Sequence, residues 1–233
     1  MTSSTDAARR PRRDALENRA GILAAAYVAL AHDPRASVDA IARQAGLSRR
    51  ALYGHFDDRD ALVRELVAKG AERFNAVAAA IDDADARVAL ARLAATLWNE
   101  AVHVQVLAAI ALDEAHLDET ATALAPLRRT VVRIVREGQD ADLLRTDVAA
   151  PTLARLVEET ARTVITRIDA SSPAARSLAV RSVLSIAGLS WREAAEVLAE
   201  HPEILAPPAD GTDDDTTADN DADDAARAEA ARS

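Results

Sequence analysis

The chain has 233 residues and a net charge of −10, with about half its residues apolar, six aromatic and none cysteine. Without cysteine there is no disulfide framework, thiolate zinc site or cysteine nucleophile. Seven glycines and eight prolines are too few for the turns of an all-β chain, and the Ala, Leu and Val that dominate favour helix, so an all-α fold is expected. Met1–Ala8 is polar, and no apolar run approaches a bilayer span. The richest stretch, Val102–Leu112, is interrupted by His103 and Gln105, so a soluble, cytoplasmic protein with no membrane partner is expected.

Charge is unevenly spread. Residues 1–64 carry eleven arginines and eight acids, a net of +3, whereas residues 206–233 carry nine acids and two arginines, a net of −7. A polyanion partner needs only a local surface of the right sign, so the acidic total does not exclude DNA.

Residues 1–13 read as a flexible basic arm ending in Arg9-Arg10-Pro11-Arg12-Arg13. A helix is expected from Asp14 to Ala31, with Leu16, Ala20, Leu23, Tyr27 and Leu30 on one stripe. Ser37 is placed to cap a short helix, Val38 to Ala45, with Asp39 in its first turn. Gly46 supplies a left-handed turn residue, and Ser48 caps a second short helix, Arg49 to about His55. A longer helix follows Asp57-Asp58, with Leu62, Leu66, Val67, Phe74, Val77 and Ile81 inward. Further helices are expected at about 85–101, 103–117, 120–137, 149–169, 174–188 and 190–200. Residues 206–233 hold almost nothing apolar larger than Ala and read as a disordered acidic tail.

The informative segment is 37–56, SVDAIARQAGLSRRALYGHF. Two helices this short need a scaffold to be stable in water. Ala42, Gly46 and Leu52 supply the small residue, the turn glycine and the core anchor of a helix-turn-helix. Its outward face would then carry Arg49, Arg50 and Tyr53. Arginine can bind guanine bidentately in the major groove, and tyrosine can reach a phosphate. Ser37 and Ser48 start helices where free N–H groups favour a phosphate oxygen, and His55 and Arg59 could clamp the opposite backbone.

Ala45-Gly46-Leu47-Ser48 and Leu52-Tyr53-Gly54-His55-Phe56 resemble the signature of the TetR (tetracycline repressor) family, over roughly residues 14–74. Arg50 stands where that family often has a small residue. The resemblance implies a DNA-binding domain at 14–74, a regulatory and dimerising domain at 75–205, a homodimer on double-stranded operator DNA, and a small-molecule effector that releases it.

For dimerisation, Leu153, Val157, Val164, Leu178, Val183 and Ile186 are the candidates, because helix 174–188 is apolar or small on two faces. For an effector pocket, the candidates are Trp98, Asn99, His103, Gln105 and His116. No catalytic set, metal site or cofactor is expected. Asp113 and His116 lie one turn apart, but a solvated acidic face is the commoner explanation of such a pair. A second reading keeps the helix-turn-helix for docking proteins rather than DNA.

Overall fold

The computed structural model describes residues 9–102, 117–169 and 172–206. Among these residues there are ten α-helices and no strand. They are α1 (Arg9–His32), α2 (Val38–Gln44), α3 (Arg49–Tyr53), α4 (Arg59–Ala79) and α5 (Ala86–Val102), then α6 (Leu117–Ala123), α7 (Ala125–Asp140), α8 (Ala150–Arg167), α9 (Ala175–Ile186) and α10 (Trp191–Glu200). A 3-10 turn at Pro202–Ile204 follows. The expected helix at 103–117 and the acidic tail from 207 onward lie outside the described residues.

Buried side chains fall into two main clusters. The first joins Ile22, Leu23, Ala26 and Leu30 of α1 to Ile41 and Ala42 of α2, Leu52 of α3, Phe56, and Leu62, Val63 and Leu66 of α4. The second is built on α5, α7, α8 and α9, with α10 closing one side. Helix α4 runs unbroken between them: Leu66 belongs to the first cluster and Ala78 to the second.

Three boundaries differ from expectation. Helix α1 starts at Arg9, not Asp14, so residues 9–13 are not part of a flexible arm. Arginine is a good helix former, and Pro11 is tolerated because first-turn N–H groups have no intrahelical acceptor to lose. Ala20 is exposed, and Ile22 and Ala26 take its place on the buried face; the side chain of Leu16 lies outside the described set. The helix expected at 120–137 is two helices, α6 and α7, broken at Leu124. Pro126 lies in the first turn of α7 and cannot extend the helix before it.

The break leaves backbone groups that α4 satisfies. The Asn75 amide donates to the carbonyl of Ala123 at 2.9 Å, and its oxygen accepts from the N–H of Leu127 at 3.0 Å. One side chain thus caps the end of α6 and the start of α7. Gly138 lies within α7 rather than ending it, because a Cβ there would come within 2.5 Å of Leu144.

Candidate nucleic-acid interface

The geometry between α2 and α3 is set by local chemistry. The Ser37 hydroxyl accepts from the N–H of Ala40, and the Ser48 hydroxyl accepts from the N–H of Ala51, each at 3.2 Å. Each serine caps its helix and keeps its own O–H proton free to donate. Between them the chain makes a paired-bond stop: Gly46 N–H donates to the carbonyl of Arg43 at 3.1 Å and Leu47 N–H to that of Ala42 at 2.8 Å. That pattern requires a left-handed residue at its centre, and Gly46 has φ +66°. A side chain there would be strained by about 1–2 kcal/mol.

Leu52 is fully buried beneath α3, which turns the opposite face outward. Arg49, Arg50 and Tyr53 are all exposed on it. The Arg50 guanidinium has no hydrogen-bond or ion-pair partner among the described residues. Arg49 is held: its guanidinium donates to Asp39 of α2 at 3.1 Å and to the Tyr53 hydroxyl at 3.4 Å, and lies 5.5 Å from that ring. Tyr53, then the field of Asp39, favour its charged form.

Two residues bind this unit to the rest of the domain. Arg19 of α1 makes a bidentate pair with Glu65 of α4, donates to the carbonyl of His55 at 2.6 Å and stacks 4.2 Å from the Phe56 ring centroid. It therefore holds the C-terminal end of the helix-turn-helix against both scaffold helices. Nothing in the one-dimensional pattern singles it out, because a charged residue on a helix reads as a solvated one.

Arg59 corrects an expectation. It donates to the carbonyls of Ala36 at 3.1 Å and Pro34 at 2.8 Å, bracing the loop before α2 instead of reaching outward as a phosphate clamp. His55 is half-buried and gives its carbonyl to Arg19.

Further along the chain, a cavity of about 260 Å³ opens between α4, α5, α7 and α8. Its wall is aliphatic: Leu90, Leu93 and Leu97 from α5, Leu127 and Val131 from α7, Val157 and Ile165 from α8. Leu66, Val67, Gly70 and Phe74 of α4 and Thr120 and Ala121 of α6 also line it. Leu66 thus belongs at once to the cavity wall and to the core beneath the helix-turn-helix.

Of the expected pocket residues, Trp98 and Asn99 do not line it. Trp98 is 4% exposed and packs in a separate small cluster with Val164, Ala175 and Ala179. Its wide ring fills the gap left by the two small alanines. Asn99 is half-buried and does not face the cavity. His103, Gln105 and His116 lie outside the described residues.

The expected dimer residues divide. Leu153, Val157, Val164 and Val183 are buried inside the protomer's own clusters, which corrects their assignment to a partner surface. They are the side of α8 and α9 that meets α5 and α7. Leu178 is 44% exposed and Ile186 half-buried. Near Ile186, a shallow hollow is formed with Thr160, Ser182, Ser185 and Trp191, and the last of these is 70% exposed.

Among the described residues no helix is long and apolar enough to cross a membrane. Residues 22–66 match the family profile described as bacterial regulatory proteins, tetR family. No curated protein matches the chain. Among solved structures, the fold is similar to that of a TetR family transcriptional regulator, PfmR, from Thermus thermophilus. The TM-score is 0.61 at 20% identity, covering 72% of this chain and 98% of that one. It is also similar to the transcriptional regulator FadR from Bacillus subtilis, solved in complex with stearoyl-CoA (TM-score 0.60, 18% identity, 72% and 97% covered). SmeT, the repressor of the Stenotrophomonas maltophilia multidrug efflux pump SmeDEF, gives a TM-score of 0.57 at 19% identity, with 72% and 88% covered.

Proposed function

We propose that this chain, a TetR-family regulator by its N-terminal segment and its fold, is a homodimeric repressor that leaves its operator when a small molecule fills the cavity beside α4. The observation that carries the DNA-binding part is the exposed face of α3. The capped start at Ser48, the Gly46 stop and the buried Leu52 hold Arg49, Arg50 and Tyr53 outward on a short, firmly anchored helix. In this reading the two arginines read base edges, and Ser37, Ser48 and Tyr53 position the domain on phosphates. His55, a half-buried residue, is proposed to sit at the edge of that contact.

The dimer is proposed to form through the outer face of α8 and α9, with Leu178, Ile186 and Trp191 at its centre. An exposed tryptophan and leucine beside a hollow of serines have the anchor-and-pocket character of an interface. A two-fold pair presents two copies of α3 to half-sites one helical turn apart, about 34–36 Å.

Release follows from the shared helix. Leu66 and Val67 touch both the cavity and the core under the helix-turn-helix. A ligand that fits the cavity better in one tilt of α4 shifts the spacing of the recognition helices, by no more than its differential affinity allows. Selection from random duplexes with the purified protein tests the proposal. An enriched inverted repeat is expected, and enrichment of no sequence over bulk at moderate salt would overturn it.

A further inference from the structure

The chemistry of the cavity narrows what it can hold. Some 22 residues line it, and the charged ones are two pairs at its edge: Arg128 with Glu158, and Arg162 with Glu159. Arg128 meets Glu158 at 2.9 Å across α7 and α8. Each rim guanidinium therefore faces a carboxylate of its own chain, and the rim's formal charges cancel. Deeper in, the wall is leucine, valine, alanine, isoleucine and one phenylalanine. Thr120 is the buried polar side chain among the described residues, and it is already engaged with a neighbour.

An anionic ligand gains little here. Its head group could reach only a guanidinium that already faces Glu158 or Glu159, so it would set a second carboxylate beside the first with no further counter-charge. Pushed further inward it would lose its hydration to an aliphatic wall. A hydroxyl or carbonyl, by contrast, can add a hydrogen bond to the rim without breaking either pair. Size sets the other bound. A cavity of about 150 Å³ lined by aliphatic groups takes benzene, so 260 Å³ suits a molecule of about ten heavy atoms.

We infer that the effector is an uncharged, mainly hydrocarbon molecule of about that size, and that the Arg128–Glu158 pair rejects the corresponding carboxylate. This deepens the reading of the cavity as the effector site and rests on it. The probes are octan-1-ol and octanoate, titrated calorimetrically into the full-length protein near pH 7.5.

Octan-1-ol is expected to bind about tenfold or more tightly than octanoate, which corresponds to about 1.4 kcal/mol. In Glu158→Gln the arginine loses its anionic partner, and octanoate is expected to gain about tenfold while octan-1-ol is unchanged. In Gly70→Leu, whose added side chain enters space with no atom within 4 Å of the Cβ position, octan-1-ol binding is expected to be lost while the helical circular dichroism is kept. Octanoate binding as tightly as octan-1-ol, or octan-1-ol binding undiminished by Gly70→Leu, overturns the inference. So does an absence of binding by both probes. Operator selection is measured separately, so that last result leaves the DNA-binding reading standing.

Discussion

Asp39 of α2 holds Arg49 of α3 at 3.1 Å, so one of the two outward arginines is committed to a carboxylate before any DNA arrives. Both partners are well exposed, and such a pair contributes little to stability. Its effect is on binding, because Asp39 also adds a negative charge beside the cationic face. In Asp39→Ala, affinity for random-sequence duplex is expected to rise about two- to tenfold, with the preference for the selected operator reduced. Loss of the favourable first-turn charge should lower stability by about 0.3–1 kcal/mol. Fluorescence anisotropy at two salt concentrations measures this; unchanged non-specific binding would contradict it.

Arg50→Ala and Arg49→Ala are each expected to weaken operator binding by about 1–3 kcal/mol, and to relax sequence preference at one position per half-site. Both side chains are exposed, so thermal melting should hardly move. Mobility shifts with the selected operator and single-base variants are the measurement. A uniform loss across all sequences would assign the residue to phosphate instead.

Asn75→Ala should leave the carbonyl of Ala123 and the N–H of Leu127 without their shared partner. Orphaned backbone groups in a half-buried setting cost about 1–3 kcal/mol. A lower urea midpoint with an unchanged slope is expected. If stability is unchanged, water reaches the break and the cap is dispensable.

Asp85 starts α5 and accepts from the N–H of Arg87 at 2.8 Å and from its guanidinium at 3.0 Å. The Arg87 side chain, more than the backbone, holds its carboxyl below the ordinary value of 3.8. The stability this contributes is complete above that value and is lost as pH falls through the lowered native one. Asp85→Asn is therefore expected to be less stable by about 0.5–1 kcal/mol at neutral pH. The gap should close as urea melts are taken to progressively lower pH below 3.8; a gap constant with pH would refute the assignment.

Leu178→Asp places a charge on the exposed face of α9, away from the protomer's own clusters. A monomer with unchanged helicity is expected by sedimentation. A dimer that persists would move the interface elsewhere.

The segment around Gly46 is legible in the sequence because its structure is local. Two serine caps, one positive-φ glycine and a buried leucine each act within a few residues of themselves. Helices α8, α9 and α10 can also be located to within two residues, because Pro151, Gly188 and Ser190 punctuate them. What stays hidden is long-range. The 46-residue separation of Arg19 and Glu65 conceals their clamp, and the turn of Arg59 toward Pro34 spans 25 residues.

Helix α9 shows the limit most clearly. Its two apolar faces are visible in the pattern, but which one meets α5 depends on the fit of Ala175 and Ala179 around Trp98, which periodicity does not encode. Trp98 itself reads as a pocket group because indole carries a polar N–H. In the folded chain its bulk matters more.

An unbroken α4 of 21 residues is a rod about 30 Å long. A rod carries rotation without loss: tilting one end by about five degrees sweeps the other through about 2–3 Å. That sweep is several times the margin, about 0.5 Å, between a made and a missed hydrogen bond to a base edge. On the proposed release, such a lever would need no unfolding, and a guest wedged beside Phe74 would be felt at the far tip.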